Sequence, residues 1–129
     1  MSAVRTVSAF QRDATPMLFQ KGETIFKAGE VGETMYGVIR GEVELWVQDQ
    51  LVEVIHQGDV FGEGALVQPS QVRASSAIAR TDCELASLDQ SRFLFAVQNT
   101  PMFAIEIMRS FSSRLRRLKQ VAASGQAPR

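Results

Sequence analysis

A glycine-containing turn and a nearby arginine are the residues with the clearest potential for chemistry. The turn is Phe61-Gly62-Glu63-Gly64-Ala65, and the arginine is Arg73. Free backbone amides at such a turn bind anions, and a guanidinium from the far side of the loop would complete a phosphate clamp. The carboxylate of Glu63 would repel a phosphate, so we expect it to accept hydrogen bonds from sugar hydroxyls. The pattern predicts a site for a ribose phosphate.

Each of these residues has a simpler interpretation when it is taken alone. Arg73 would then be a partner in a surface salt bridge, and Glu63 would be a solvated carboxylate. Their combination within one short turn favours the ligand site over both of these interpretations. A turn that is retained as a fold element, without a ligand, remains the alternative.

The bulk composition limits the class of protein. The chain has 129 residues, a length typical of one domain. Its formal net charge is zero, so no overall positive charge favours binding to nucleic acid or to acidic membranes. A single cysteine, Cys83, is typical of a reducing compartment. The sequence has neither a signal peptide pattern nor a membrane-spanning run, and we expect a cytoplasmic protein.

The elements that must position the turn are short strands bounded by glycines. Alternation is clearest where Val43, Leu45 and Val47 face one way, opposite to Glu44 and Trp46. Turn-limited strands of this kind predict an α+β, mainly β fold: an antiparallel β-roll of the double-stranded jelly-roll type. The predicted strands are Leu18–Gln20, Thr24–Lys27, Thr34–Arg40, Glu42–Gln48, Leu51–Gln57, Ser75–Arg80 and Cys83–Leu88.

Helical periodicity takes over after the roll. We predict a short helix over Gln90–Asn99 with Asp89 as its N-cap, and a long C-terminal helix from Thr100 to about Val121. Residues 1–16 are predicted as an arm or short helix and residues 122–129 as a flexible tail, which leaves 17–121 as the domain.

The long helix carries a second pattern. Apolar residues recur along it at alternating intervals of four and three, which is a heptad-like seam, while Phe103 and Ile107 widen the apolar face towards the roll. The seam predicts a parallel homodimer, and packing on the chain's own roll is the alternative. The seam consists of Ala104, Met108, Phe111, Leu115, Leu118 and Ala122.

The turn and its surroundings resemble a known family. Phe61-Gly62-Glu63-x-Ala65-Leu66 followed by Arg73-Ala74-Ser75 resembles the phosphate-binding cassette of cyclic-nucleotide-binding domains. The glycines between Gly22 and Val43 are similar to the early strands of the same family. The spacing between Glu63 and Arg73 is similar to that of bacterial regulators of the catabolite-activator type.

The resemblance implies roles for individual residues. It implies that Glu63 binds the ribose 2′-hydroxyl and that Arg73 pairs with the exocyclic oxygens of the cyclic phosphate. It also implies that amides around Gly64, Ala65 and Ala74 complete the anion cradle and that Gly62 lets the chain pass close to the ribose. Phe61 and Ser75 belong to the same motif.

The base is implied to lie between the roll and the long helix. By position Leu118 would cover it, as an apolar lid that reads no base edge, with Lys119 beside it. Ala74 lacks the hydroxyl that often favours guanine, although Ser75 and Ser76 follow it. The resemblance therefore favours cAMP as the ligand, with cGMP possible. The residues show no metal-ligand spacing, and we expect no metal and no cofactor.

Other polar residues receive non-functional interpretations. His56 is the only histidine and has no catalytic partner in the sequence, so we predict a strand-end surface role. Cys83 is predicted as a small buried hydrophobe. The basic run from Arg114 to Lys119 resembles a nucleic-acid patch, but we interpret it as complementing the negative end of the long helix.

The expected function is that of a stand-alone cyclic nucleotide sensor and not of an enzyme, since no nucleophile or metal-ligand spacing is visible. Ligand binding would shift the C-terminal helices and signal to an unknown effector protein. Direct DNA binding is not expected, because no recognition helix follows the long helix. The alternatives are a ligand-free interaction domain with a vestigial cassette and a regulatory fragment of a larger transcription regulator.

Overall fold

Two antiparallel sheets form the body of the molecule. The structure, a computed structural model, describes residues 3–13 and 15–129. One sheet has the strand order β1-β8-β3-β6 and the other β2-β7-β4-β5. The strands are β1 (Met17–Phe19), β2 (Thr24–Phe26), β3 (Thr34–Arg40), β4 (Val43–Val47), β5 (Gln50–Ile55), β6 (Val60–Phe61), β7 (Ser76–Ala79) and β8 (Cys83–Asp89).

The predicted β-roll is confirmed, and the boundaries of the predicted strands differ from those of the structure by at most two residues. β6, the strand that leads into the cassette turn, was not predicted separately because it is only two residues long. The hairpin between β4 and β5 turns at Gln48 and Asp49, which both have positive φ, and β5 therefore begins at Gln50. Paired left-handed residues are typical of the tightest hairpin turns.

Alternation along β3 divides the core into two parts. Tyr36 and Val38 point between the sheets, where they pack with Val43 and Leu85. Met35 points to the opposite face, which is covered by helices. The sheet that contains β3 is therefore buried on both faces. One face lines the interior of the roll, and the other packs against the helical layer.

The helical layer consists of α1 (Ala3–Phe10), α3 (Gln90–Asn99) and α4 (Met102–Ser124), while the short α2 (Gly64–Val67) lies in the cassette. Asp89 caps α3 by accepting a 2.9 Å hydrogen bond from the Arg92 amide, as predicted. The arm predicted over 1–16 forms α1, although residues 1, 2 and 14 lie outside the described residues. Val4 and Val7 pack this helix against the part of the core that contains Met35.

The long helix α4 has two different faces. The buried face begins with Phe103 and Ile107, as predicted, and continues through Ser110 to Arg114. The predicted seam lies on the other face, where Met108, Phe111 and Leu115 are among the exposed apolar side chains. The helix extends to Ser124, beyond the predicted end, and Gly125 terminates it with a left-handed φ of 71°.

Candidate functional site

The cassette turn is a strand that ends on a glycine and continues directly into a helix. Gly62 follows β6 with φ at 81°, a conformation that residues with a Cβ rarely adopt. A Cβ at Gly62 would also lie 2.9 Å from Nη1 of Arg73, so glycine is needed for space as well as for conformation. A Cβ at Gly32 would collide with the same guanidinium. Two glycines thus make room for Arg73.

Arg73 is buried and held by backbone oxygens. Its Nη1 donates to the Gly62 carbonyl at 2.6 Å, and its Nη2 donates to the Thr34 carbonyl at 2.5 Å. The guanidinium lies 4.0 Å from the centroid of the Phe26 ring. Only 6% of the residue is exposed. Burial lowers the pKa of Arg73, and neighbouring negative charges offset this only in part.

Arg73 has no acidic partner among residues 3–13 and 15–129, where none of the ion pairs involves it. A buried charge is costly unless an opposite charge or a full set of hydrogen bonds compensates it. Two of its five N–H groups donate to carbonyls. The arrangement leaves positive charge and free donors beside the cassette turn.

Glu63 is buried in the same turn, but it is paired. Its Oε1 lies 3.2 Å from Nη1 of Arg114, which reaches the cassette from α4. Its second oxygen, Oε2, is buried and has no hydrogen-bond partner in the part of the chain that the structure describes. A carboxylate oxygen in this state can accept a hydrogen bond from a neutral donor without losing the ion pair on the other oxygen.

Arg114 joins three parts of the molecule. Its Nε and Nη2 contact Oε1 and Oε2 of Glu53 on β5, at 2.6 and 3.1 Å, in the two-pronged geometry that guanidinium and carboxylate groups favour. Its Nη1 also donates to the Val60 carbonyl at 2.9 Å. Burial alone would lower the pKa of Arg114, but the hydrogen bonds and negative charge of Glu53 and Glu63 raise it overall. The guanidinium therefore remains charged.

The interpretation of the basic run as a complement to the helix end is wrong for two of its members. Arg114 is buried in the network described above, and Arg117 lies 2.7 Å from Oδ2 of Asp59, just before β6. The helix also continues past this run to Ser124. These arginines attach α4 to the strand that leads into the cassette, whereas the other two basic residues of the run, Arg116 and Lys119, are exposed.

The remaining predicted site residues fall into three groups. Phe61 is fully buried and stacks on Tyr36 with 5.3 Å between ring centroids, so its side chain supports the turn from the core. Ala65 is buried and Gly64 exposed at the start of α2, whose first amides have no acceptor within the helix. Ala74 is exposed and Ser75 half-buried beyond Arg73.

Leu118 does not lie in the cassette. It is half-buried on α4 and lines a cavity of about 430 Å³ together with Glu53 and Arg114. Apart from Glu53, the residues that line this cavity all belong to α4. Leu118 borders that space, and the cassette forms a separate cluster around Arg73 and Glu63.

Several residues that surround the charged groups of the site were not predicted as site residues from the sequence. Gly32, Phe26 and Thr34 surround Arg73 and were assigned only to turns or strands. Glu53 was read as one residue of a strand. Arg114 lies on the apolar side of α4, in the interval between Ser110 and Leu118. A charge at such a position needs a partner, and this pattern could have identified Arg114 as a paired residue from the sequence.

Two residues interpreted as non-functional occupy places that agree with that interpretation. His56 lies at the surface end of β5, with Nδ1 2.8 Å from Oε2 of Glu42. Cys83 is 2% exposed, and its thiol donates to the Glu42 and Thr81 carbonyls.

Comparison with known proteins assigns the family. The model of the cyclic nucleotide-binding domain matches residues 16–100. The chain belongs to this family. The matched segment contains both sheets and the whole cassette, and it ends at the start of α4, so the Arg114 network joins the family domain to the helix beyond it.

The relatives include regulators of transcription. The chain is 31% identical over 97 residues to the cAMP-activated global transcriptional regulator CRP of Pasteurella multocida, an alignment that covers 71% of this chain and 46% of that protein. It is 28% identical over 116 residues to a CRP-like cAMP-activated global transcriptional regulator of Mycobacterium tuberculosis, covering 86% and 51%. The chain thus spans about half the length of the curated relatives it matches.

A solved structure gives the same picture. The Catabolite Activator Protein of Thermus thermophilus superposes with a TM-score of 0.73 at 25% identity, covering 94% of this chain and 57% of that one. Within the part of the chain that the structure describes, we find no helix with the length and apolar character to cross a membrane.

Proposed function

We propose that this domain is a non-enzymatic sensor that binds a cyclic purine nucleotide, cAMP or cGMP, in the cassette Phe61–Ser75. The proposal rests on two buried charged side chains of the cassette, Arg73 and Glu63, whose polar atoms are only partly paired by the described residues. Among residues 3–13 and 15–129, Arg73 forms no ion pair, and one oxygen of the Glu63 carboxylate accepts no hydrogen bond. A ligand with a phosphate next to a hydroxyl would satisfy both groups.

The phosphate end of the ligand is assigned to Arg73. A cyclic phosphodiester carries one negative charge, and it would compensate the charge that burial makes costly on the guanidinium. The first amides of α2 lie beside it and supply neutral donors. The protein thereby provides one full charge and several dipoles for one charge on the ligand.

The sugar end is assigned to Glu63. Its Oε2 accepts no hydrogen bond from the described residues, and a ribose 2′-hydroxyl would supply one. Because Oε1 stays with Arg114, the sugar contact and the α4 contact share one carboxylate. Binding at the sugar is therefore coupled to the position of α4, which provides a route for a population shift of the C-terminal helix.

Calorimetric titration of the intact chain with cAMP and cGMP tests the proposal. We expect binding that Arg73→Ala weakens at least about tenfold, since a charge-assisted hydrogen bond contributes roughly 1.5–3 kcal/mol. Glu63→Ala should also weaken it. Arg40→Ala is the matched control, because Arg40 is exposed and pairs with Glu84, which lies outside the cassette.

A vestigial cassette is the outcome that would contradict the proposal. It would give no heat with either nucleotide and no bound nucleotide in the native mass spectrum of the purified protein. In that case Arg73 would be a structural residue that fixes Gly62 and Thr34, and the domain would be an interaction module.

We further propose that α4 forms a parallel homodimer. Met108, Phe111 and Leu115 are 56%, 42% and 51% exposed and follow a heptad spacing, and a second helix would bury them. Sedimentation at micromolar concentration should show a dimer that Leu115→Glu converts to a monomer. A wild-type monomer with and without nucleotide would contradict this assembly.

The output of the sensor belongs to the same proposal. We expect a cytoplasmic effector protein, and no direct DNA binding by the domain itself. The alternative is that the domain is the regulatory part of a transcription regulator, as in its longer relatives. Specific DNA binding by this chain in a gel-shift assay would favour the alternative.

A further inference from the structure

The cassette arginine lies over an aromatic ring. The Cζ atom of Arg73 is 4.0 Å from the centroid of the Phe26 ring, the shortest of three arginine–ring contacts in the part of the chain that the structure describes. A cation within about 6 Å of a ring centroid is attracted by the negative face of the ring, and the attraction grows when water is excluded. The ring therefore helps to hold a buried charge that no carboxylate pairs among the described residues.

Phe26 is itself held in place by two other rings. It belongs to β2, and its ring centroid lies 6.1 Å from that of Tyr36 and 6.1 Å from that of Phe61. Tyr36 and Phe61 are buried and stack on each other. These distances are typical of aromatic pairs in protein cores. The ring at Arg73 is thus anchored in the interior of the roll, so it can fix the position of the guanidinium.

We propose that Phe26 is a positioning residue of the nucleotide site: its ring holds the Arg73 guanidinium in the cassette and leaves the positive charge available to a phosphate. The inference rests on the proposed function, since it concerns how the same site recognises the phosphate of its ligand. It adds a residue that lies outside the cassette, on a strand distant from it in sequence.

The hydrogen bonds of Arg73 leave room for this role. Of the five N–H groups of a guanidinium, two donate here to the carbonyls of Gly62 and Thr34. The guanidinium makes no other hydrogen bond to the described residues. An aromatic ring attracts the charge without adding an acceptor oxygen, so the remaining N–H groups stay available for phosphate oxygens.

A carboxylate in the place of the ring would also hold the guanidinium, but it would cancel the charge. Arg114 shows this case, since Glu53 and Glu63 both pair with it. The Phe26 ring has no net charge, and its attraction comes from the quadrupole of the π-system. A phosphate at Arg73 therefore meets a positive charge that is fixed in position but not cancelled, which lowers the ordering cost of binding.

Positioning by the ring differs from ordinary packing in one measurable way. Fluorine atoms on a phenylalanine ring withdraw electron density from its face and weaken its attraction for a cation, while they change the shape of the side chain little. If Phe26 only fills space, fluorination leaves nucleotide affinity unchanged. If its face holds Arg73, affinity falls as the degree of fluorination rises.

The test is calorimetric titration of the full chain with cAMP and cGMP after progressively fluorinated phenylalanines replace Phe26. We expect both affinities to fall in step, because the contact concerns the phosphate and not the base. The loss should reach about tenfold for the fully fluorinated ring, which corresponds to one cation–π contact of a desolvated cation. Phe26→Leu should lose about as much, whereas Phe26→Tyr keeps the ring face and should retain most of the affinity.

Phe19 provides the matched control. It is also a half-buried phenylalanine packed against the core of the roll, and no arginine of the described residues lies over its ring. Fluorination of Phe19 should leave both nucleotide affinities unchanged.

Each contrary result has a distinct meaning. Equal nucleotide affinity in the wild type and in the fluorinated Phe26 series overturns the inference and leaves the proposed function standing. An equal loss on fluorination of Phe19 also overturns it, because the effect would then come from the fold. Absence of binding by the wild type removes the proposed function, and the inference with it. Since fluorination preserves the shape of the ring, the inference stays testable even if Phe26→Leu fails to fold.

Discussion

Arg73 and Arg114 are both buried, but their surroundings are opposite. Arg114 contacts two carboxylates and its pKa is raised, whereas Arg73 contacts two backbone carbonyls and its pKa is lowered by burial. One arginine is fully compensated within the protein and the other is not. Burial of a charge alone therefore does not identify a ligand site, since Arg73 differs from Arg114 in having no ion-pair partner among the described residues.

The comparison also separates stability from binding. Removal of a partner from a compensated buried network leaves its carboxylates uncompensated, and this is strongly destabilising. Removal of the Arg73 charge relieves a desolvation cost and forfeits its two hydrogen bonds and its contact with the Phe26 ring. We therefore expect Arg114 to matter first for the fold and Arg73 first for the ligand.

The largest expected effect is that of Arg114→Met on stability. It should lower the free energy of unfolding by about 3–5 kcal/mol, because Glu53 and Glu63 would remain buried without their shared cation. Urea denaturation followed by circular dichroism measures the change, and Arg116→Met on the exposed side of α4 is the control. A loss below about 1 kcal/mol would show that the network is solvated in the protein.

The second expected effect is that of Arg73→Met, which should lower nucleotide affinity more than it lowers stability. Arg73→Met should change the free energy of unfolding by about 1 kcal/mol, the net value of a typical hydrogen bond, while it lowers nucleotide affinity at least about tenfold. Urea denaturation and calorimetry on the same preparation give both numbers. If Arg73→Met destabilises the fold as much as Arg114→Met does, the contrast between the two arginines is not real.

The smallest expected effect concerns a surface ion pair, that of Arg12 with Asp89. Its effect on stability is a reference for the effects of the buried arginines. Hydrogen bonds from the Arg12 side chain and the Arg92 amide lower the pKa of Asp89 to about 2. The carboxylate is favoured in the folded state, so its contribution is complete above about pH 4 and is lost as the pH falls through about 2. Asp89→Ala should cost about 1 kcal/mol at pH 7, mainly as a lost N-cap.

The pH dependence supplies the check on this last prediction. The difference between wild type and Asp89→Ala in urea denaturation should shrink as the pH is lowered from 4 to 2. Asp89→Asn retains a capping side chain and should lose less at pH 7 than the alanine variant does. A difference that stays constant down to pH 2 would contradict the role of the charge.

The cassette was predictable because it is local. Gly62, Glu63 and Arg73 lie close together in the chain, so a short motif contains both the turn and its charges. The roll was predictable for a similar reason, since alternation and turn glycines mark each strand separately. The end of α4 at Gly125 was missed, although a glycine after a helical pattern is a recognised stop signal.

The Arg114 network was not predictable, because it depends on contacts distant in sequence. Glu53 and Glu63 reach Arg114 only after α4 has folded back across β5 and β6. The sequence shows a basic run in a helix, and the usual explanation for such a run is the helix end or solvent. Only the tertiary packing shows that two of its arginines are bound to carboxylates of the roll.

A crystal structure of the chain with bound cAMP or cGMP decides whether the cassette is the nucleotide site. We expect a phosphate oxygen within hydrogen-bond distance of the Arg73 guanidinium, about 3 Å, and the 2′-hydroxyl at Oε2 of Glu63. We also expect Arg114 to retain its contact with Glu63. A nucleotide bound elsewhere, with Arg73 still donating only to Gly62 and Thr34, would show that the cassette is not the site.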